Sequence, residues 1–214
     1  MIQLLASDVG KKYRREWVFR HLDLNLTSQP SSTGMAINYT FVGPNGSGKS
    51  TLLQLLSGAL PTTEGTLTYA LNGKTVDSDD WFRQVVIAAP YLELIEELTL
   101  SEMLTFHRQF KPFKENMPNE EAADRMLLKP AMHKEIKFFS SGMKQRVKLG
   151  LAFFSDVPLI ILDEPTSNLD RQGAAWYHEQ VRLLRPDQLL LIGSNDPAEY
   201  DFCPNVLDVM QWKK

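Results

Sequence analysis

Short apolar runs recur along the chain at the spacing of β-strands. In residues 22–26 leucines occupy every second position, which is typical of a strand with one buried face. The pair Asn72-Gly73 lies inside another such run and predicts a hairpin over residues 67–75. The pattern therefore predicts a polar loop over residues 27–34 and strands over residues 2–6, 17–19, 22–26, 35–42, 85–89, 159–162 and 189–192.

Segments with helical periodicity separate the later strands. Thr99 and Glu102 have the spacing of a capping box and predict a helix from there to about residue 110. Further helices are predicted over residues 120–128 and 173–184, and after a glycine-rich segment a helix is predicted to bury Leu52, Leu53, Leu55 and Leu56.

This order of elements predicts an α/β fold, with a mostly parallel sheet, an N-terminal antiparallel β region and a helical subdomain. We expect a single domain over residues 1–214. Its core would comprise residues 1–90 and 156–214, and the helical subdomain would comprise about residues 91–155.

Composition narrows the class of protein. The chain is 43% apolar and 23% charged, as is ordinary for a soluble globular protein. A net charge of −3 gives no electrostatic reason to expect nucleic acid as a partner, and we interpret the short basic run at residues 11–15 as a solvated edge. Cys203 is the only cysteine, so an internal disulfide is excluded. No apolar stretch reaches the ~18 residues needed to span a bilayer.

Residues 43–50 fit the pattern G-x-x-x-x-G-K-[ST] of the P-loop. Glycines let backbone N–H groups surround a phosphate, and the N-terminus of the following helix favours the same negative charge. Lys49 would bind the β- and γ-phosphates, and the Ser50 hydroxyl would bind Mg²⁺. The predicted nucleotide-binding residues of this segment are Gly43, Asn45, Gly46, Ser47, Gly48, Lys49, Ser50 and Thr51.

A second candidate element is the apolar strand that ends in Asp163 and Glu164. Carboxylates at the C-terminal end of a strand beside a P-loop are typical of a Mg²⁺ and water site. We expect Asp163 to hold Mg²⁺ and Glu164 to take a proton from water. Taken alone, the same residues could be a strand end with solvated acids.

A third element, residues 139–146, places small polar residues ahead of an apolar helix. In bare form it predicts only a helix N-terminus or an N-cap.

Together, these elements in this order resemble the ATP-binding cassette (ABC) ATPases over nearly the whole chain. Residues 43–51 resemble the Walker A motif of that family and residues 159–164 its Walker B motif with the catalytic glutamate. Residues 140–144 resemble its signature LSGGQ, with Ser141 and Met143 in place of a glycine and the glutamine.

The resemblance implies further roles. Ser140 and Gly142 would contact the nucleotide of a partner cassette in a head-to-tail dimer, and Ser167 and Asp170 would belong to the D-loop. Tyr13 occupies the place of an aromatic residue that stacks on adenine.

Two positions depart from the pattern of the family. Pro90 stands where a glutamine usually links Mg²⁺ and water to the transporter, and Tyr91 or Glu93 could substitute for it. Asn195 stands where a histidine usually touches the γ-phosphate. Asparagine can hydrogen-bond a phosphate but cannot become cationic near neutral pH.

The resemblance implies an ATPase that uses ATP and Mg²⁺, with Lys49, Glu164 and Asn195 as catalytic residues. Its expected partners are an integral membrane transporter subunit and a second cassette, either a copy of itself or a paired one, and no nucleic acid. We expect a cytoplasmic protein held at the inner face of the cell membrane by that subunit. The form of the signature favours export, as in haem-exporter-like ATPases.

Two alternatives stay open, namely a nucleotide-gated module with very slow hydrolysis and a soluble ABC protein that acts on ribosomes or DNA.

Overall fold

The computed structural model describes residues 1–28 and 36–213, and the loop predicted over residues 27–34 lies mostly outside them. Its first sheet is antiparallel, with strand order β2-β1-β4-β5. These strands are β1 (Ile2–Tyr13), β2 (Glu16–Thr27), β4 (Glu64–Leu71) and β5 (Lys74–Val76).

The N-terminal hairpin is longer than the sequence predicts. Two strands of 12 residues each replace the three short predicted ones, and the register shifts along β1 after Ala6. At these irregularities Asp8 and His21 adopt positive φ angles of 50° and 54°. The predicted turn at Asn72 and Gly73 joins β4 to β5, and both residues have positive φ, as a type I′ turn requires.

The second sheet is parallel and has the strand order β6-β7-β8-β3-β9. It comprises β3 (Ile37–Val42), β6 (Val85–Ala88), β7 (Leu159–Asp163), β8 (Leu189–Gly193) and β9 (Asn205–Asp208). All residues of β7 and β8 are buried, which explains why these strands are continuous apolar runs. The edge strand β9 was not predicted from the sequence.

Six α-helices are assigned in the described part of the chain. They are α1 (Lys49–Leu56), α2 (Ser78–Trp81), α3 (Leu100–Phe110), α4 (Asn119–Arg125), α5 (Ser141–Phe154) and α6 (Arg171–Arg182). The four leucines predicted to be buried in α1 are all fully buried. The capping box of α3 is present, with Thr99 and Glu102 bonding each other's backbone. None of these helices has the length and apolar character that a membrane crossing needs.

Two apolar clusters cover the two faces of the parallel sheet. Along β7, Ile160 and Leu162 belong to the cluster formed with α3, α4, α5 and α6, while Leu159 and Ile161 belong to the cluster formed with α1 and the antiparallel sheet. This alternation follows from the two-residue period of a strand. The fold is thus the predicted α/β class, although the division at residues 91–155 into a core and a helical subdomain stays a prediction.

Candidate active site

The predicted chemical residues follow three neighbouring strands of the parallel sheet at the same edge. The P-loop follows β3, Asp163 ends β7, and Asn195 comes two residues after β8. The register pairs Gly193 with both Asp163 and Phe41. Since β8 lies between β7 and β3, the loop after it reaches both neighbours.

Glycines shape the P-loop. Gly46 and Gly48 have φ angles of 77° and 106°, which side chains with a Cβ rarely adopt. A Cβ at Gly48 would also come within 2.5 Å of Val18 on β2. Gly48 is the N-cap of α1 and offers no side-chain cap, so the first amides of the helix remain available to a ligand. The buried Ser47 Oγ likewise has no hydrogen-bond partner among the described residues.

Lys49 lies within the loop it belongs to. Its side chain is buried, and Nζ donates to the backbone oxygen atoms of Gly43 at 2.7 Å and of Pro44 at 3.4 Å. Burial lowers the pKa of Lys49, and the charges of Asp163 and Glu164 oppose that change. The ammonium group therefore lies near both predicted carboxylates.

Asp163 and Ser50 form a set of oxygen ligands that suits Mg²⁺. Asp163 is only 2% exposed, and its Oδ1 has no hydrogen-bond partner in the described residues. Burial raises the pKa of Asp163, while a hydrogen bond with Ser50 lowers it. A buried carboxylate oxygen without a partner, beside a hydroxyl, fits a divalent cation.

Glu164 differs from Asp163 in being exposed to the cleft. It has a positive φ of 45°, a conformation that costs a residue with a side chain on the order of 1–2 kcal/mol. Its backbone N–H donates to the Gly193 oxygen at 2.8 Å. The strained turn directs the chain away from the sheet directly after Asp163.

Asn195 contacts the P-loop directly. Its Oδ1 accepts a hydrogen bond from the Gly43 N–H at 3.2 Å, and its Nδ2 donates to Asn45 Oδ1 at 3.0 Å. The Gly43 donor fixes which end of the amide is oxygen.

P-loop residues and Glu164 border a cleft of about 350 Å³. Tyr13, which is 49% exposed, lies at its border, and the Lys11 ammonium is 5.4 Å from the centre of the Tyr13 ring. Val18, also at the border, was not identified from the sequence, because one valine in a strand carries no motif. The lining residues are Tyr13, Val18, Asn45, Gly46, Gly48, Lys49, Ser50, Thr51 and Glu164.

The signature and D-loop residues border a second cleft, of about 440 Å³. Ser140 caps α5 by accepting from the Met143 N–H, and Asp170 caps α6 by accepting from the Gly173 N–H. A Cβ on Gly142 would come within 2.9 Å of the Asn168 oxygen, so the two segments touch. The buried Ser167 Oγ has no partner among the described residues.

The described residues that line the second cleft are distinct from those that line the first. They are Ser140, Ser141, Gly142, Met143, Arg146, Asn168, Leu169, Asp170 and Gln172. The structure thus does not bring Ser140 and Gly142 into the P-loop cleft of their own chain.

The segment with the missing glutamine has a fixed position. Lys148, which the sequence did not single out, donates to the oxygen atoms of Ala89 and Pro90, both at 3.2 Å. The pKa of Tyr91 is raised to about 12, mainly by burial. A hydrogen bond with Gln54 opposes that change, and the charge of Asp163 adds to it. Burial lowers the pKa of Lys148, and the charge of Glu93 opposes that change. Of the two candidate substitutes, Tyr91 is the one whose pKa the charge of Asp163 affects.

Comparison with known proteins agrees with this arrangement. A family model described as "ABC transporter" matches residues 33–167, more than half of the chain. The cytochrome c biogenesis ATP-binding export protein CcmA of Mesorhizobium japonicum is 33% identical over 180 residues, which cover 82% of this chain and 83% of that protein.

A second relative is the uncharacterized ABC transporter ATP-binding protein YcbN of Bacillus subtilis, 30% identical over 175 residues. The match covers 81% of this chain but spans only 57% of the relative. A solved structure of the ATP-binding subunit of an ABC transporter has the same fold, with a TM-score of 0.79, 22% identity, and coverage of 96% of this chain and 85% of that one. The chain therefore belongs to the ABC transporter ATP-binding family.

Proposed function

We propose that this chain binds ATP with Mg²⁺ in the P-loop cleft and hydrolyses it, and that hydrolysis drives transport by a membrane partner. The observation that carries the proposal is the convergence of Lys49, Asp163 and Glu164 at one edge of the sheet, where a buried oxygen of Asp163 has no hydrogen-bond partner in the described part of the chain. The proposal concerns this chain as one subunit of a transporter. The match to YcbN spans only 57% of that relative, so the activity of the whole relative is not attributed to this chain.

Each residue of the cleft has a distinct task in this proposal. The backbone N–H groups of residues 46–51 bind the phosphates, and Lys49 exchanges its two backbone acceptors for phosphate oxygens. Ser50 and Asp163 hold Mg²⁺, which when bound neutralises charge on the phosphate oxygens. Tyr13 stacks on the adenine ring at the exposed border of the cleft.

Glu164 is the base. It takes a proton from a water molecule as the water oxygen bonds to the γ-phosphorus, and the bond from that phosphorus to the bridging oxygen of ADP breaks. Its exposure to the cleft supports this role, because the base must reach a water. Asn195 Nδ2 turns from Asn45 to a γ-phosphate oxygen.

The separate second cleft supports a head-to-tail dimer, in which Ser140 and Gly142 complete the site of the partner chain. The Ser140 hydroxyl accepts from the Met143 N–H and so keeps its own hydrogen free to donate to a phosphate oxygen. Asp170, which lines the second cleft, then lies where two chains meet, and Ser167 precedes it in the same loop.

An integral membrane subunit is the proposed partner in transport, and export is the proposed direction. Exposed aromatic rings of Phe82, Phe106 and Phe110 support a docking partner, as does the export protein among the relatives. The proposed location is the inner face of the cell membrane, held there by that subunit.

A nucleotide-gated module with very slow hydrolysis is the second candidate. It is favoured by Pro90, which offers no side-chain hydrogen bond, and by Asn195, which already donates to Asn45.

The test measures Mg-ATP binding by calorimetry and phosphate release with the membrane partner present. Glu164→Gln is expected to bind ATP normally. Its turnover should fall by about 10²-fold or more, since glutamine cannot accept the proton. Lys49→Ala is expected to stay folded and lose most of its ATP affinity.

Glu179→Gln is the matched control, because Glu179 is an exposed carboxylate on α6 that borders neither cleft. It should behave as wild type. Unchanged affinity in folded Lys49→Ala would overturn the P-loop assignment, and wild-type turnover equal to that of Glu164→Gln would favour the gated module.

A further inference from the structure

The strained conformation of Glu164 raises the question of what holds it. A residue with a positive φ persists only where its surroundings fix it in more than one way. The next turn is short, since the Ser167 N–H donates to the Glu164 oxygen at 3.1 Å and the Leu169 N–H to the Thr166 oxygen at 2.9 Å. An additional contact from outside the turn is therefore expected.

Two side chains supply such contacts, since Gln145 Nε2 donates to the Pro165 oxygen at 2.8 Å and Glu199 bonds to Thr166. Glu199 Oε1 accepts from the Thr166 N–H at 2.7 Å and from the Thr166 hydroxyl at 2.6 Å. Glu199 is 4% exposed, and within residues 1–28 and 36–213 no salt bridge joins it to a cation. A buried carboxylate whose identified partners are an amide and a hydroxyl is costly to keep, which marks the contact as specific.

Glu199 is itself firmly anchored. Its backbone oxygen accepts from the buried Tyr177 hydroxyl at 2.8 Å, and its N–H donates to the Asp196 oxygen at 2.9 Å. Asp196 also caps the short turn by accepting from the Ala198 N–H at 2.9 Å. The carboxylate therefore acts from a rigid support.

The same segment reaches the P-loop at its other end. Only four residues before Glu199, the Asn195 amide bonds to Gly43 and Asn45. In the same segment, Ser194 Oγ accepts from the Asp196 N–H at 2.9 Å. One short, internally bonded segment, residues 194–199, thus touches the phosphate-binding loop and the turn that carries the base.

We propose that Glu199 is a positioning residue that, through Thr166, fixes Glu164 relative to the P-loop. The inference rests on the proposed hydrolysis, in which Glu164 must meet a water at the γ-phosphate. Glu199 itself touches neither nucleotide nor water in this account. Glu199 was not identified from the sequence, because a lone glutamate in an irregular segment is usually a solvated surface residue.

Glu199→Gln distinguishes a role of Glu199 through its hydrogen bonds to Thr166 from a role through its charge. The charge of Glu199 is close enough to raise the pKa of Asp163, so it could act on that residue through space. Glu199→Gln removes the charge but keeps an oxygen that accepts from Thr166, whereas Glu199→Ala removes both. Thr166→Val removes only the hydroxyl donor, whereas Thr166→Ser keeps it.

The experiment measures kcat and KM for Mg-ATP, and separately the hydrogen exchange of the Thr166 amide without nucleotide. Glu199→Ala is expected to lower kcat by about 10- to 100-fold with little change in KM, as for a misplaced catalytic group. Thr166 exchange should accelerate in the same variant. Glu199→Gln and Thr166→Ser should keep most of the wild-type kcat and exchange protection, and Thr166→Val should lie between.

Equal loss in Glu199→Gln and Glu199→Ala would overturn the proposal in favour of a charge effect. A raised KM with unchanged kcat would also overturn it. If Glu199→Ala does not fold, the comparison of Thr166→Val with Thr166→Ser decides. If the wild type does not hydrolyse ATP, the proposed function fails, but Thr166 exchange still supports or overturns the contact itself.

Discussion

At the scale of single residues, Asn195 presents an amide at a position where the family usually has a histidine. Its two hydrogen bonds to Gly43 and Asn45 hold it against the P-loop, and its contact with the γ-phosphate stays a prediction. An amide donates hydrogen bonds as a histidine does, but it carries no charge to stabilise the transferring phosphoryl group. Reduced rather than absent hydrolysis is the expected result.

Two substitutions test this reading of Asn195. Asn195→His should raise turnover up to about tenfold, because an imidazolium adds charge at the phosphate. Asn195→Ala should lower turnover while costing roughly 0.5–1.5 kcal/mol of stability per lost bond. Phosphate release and urea denaturation measure the two effects. Loss of activity in Asn195→His would mean that the amide does something a histidine cannot.

At the scale of elements, one contact ties helix α3 to the end of α5. His107 Nε2 lies 2.8 Å from Ser155 Oγ, and that hydroxyl donates to the Leu151 oxygen at 2.6 Å. Since the serine hydrogen is already used, His107 must be the donor to Ser155. Burial and, to a lesser extent, the nearby Lys111 charge lower the pKa of His107 to about 4.

This contact predicts a pH dependence of stability. The unfolded histidine has a pKa near 6.5, so the unfolded state takes up a proton first as the pH falls. The contribution of His107 to the free energy of unfolding is fully present above pH ~6.5 and is lost as the pH falls towards about 4. The loss should be on the order of 1–2 kcal/mol, given partial solvent screening.

Urea denaturation of wild type and His107→Gln at pH 7 and pH ~4.5 measures this loss. The variant should lose less stability on acidification than wild type. Identical pH dependence in both proteins would contradict the role of His107.

Elements with a local cause were predictable from the sequence, and those fixed by distant partners were not. Thr99 and Glu102 of the α3 capping box are three positions apart, and Asn72 and Gly73 of the turn are adjacent, so each motif could be identified from a short stretch of sequence. Strand β9 has four residues, and it is fixed by pairing with β3 more than 160 positions earlier. The helix predicted over residues 120–128 ends at Arg125, two residues before Leu127 with φ 60°.

The residues of the candidate site also divide into those that a local sequence pattern identifies and those that it does not. Glycine spacing and an apolar strand ending in acids predicted the P-loop, Asp163 and Glu164, because each motif is contiguous. Glu199 and Lys148 act on backbone groups 33 and 58 or 59 positions away, and no local pattern predicts such partners.

At the scale of the whole molecule, the P-loop cleft and the signature cleft are separate on one chain. A chain that carries two incomplete halves of a site is expected to pair when nucleotide bridges them. The contact of Gly142 with the Asn168 oxygen links the signature to the D-loop, so both would face the partner together.

Light scattering tests the pairing. Glu164→Gln should double in mass with Mg-ATP, because ATP then persists in the site. Adding Ser140→Arg should abolish the doubling, since the long cation blocks the approach of the second chain. Glu179→Arg, a comparable change on the exposed face of α6, should leave it intact. A dimer indifferent to both ATP and Ser140→Arg would count against the head-to-tail arrangement.

The bonds from Lys49 Nζ to the Gly43 and Pro44 oxygens have a consequence for selectivity. The carbonyl groups of the loop compete with an incoming anion for hydrogen bonds from the Lys49 ammonium group. A lone phosphate ion must break these bonds and gains few others in return. A triphosphate breaks the same bonds but spreads its oxygens along the whole row of amides. The internal bonds therefore act as a threshold that favours long phosphate chains over the far simpler anions around them.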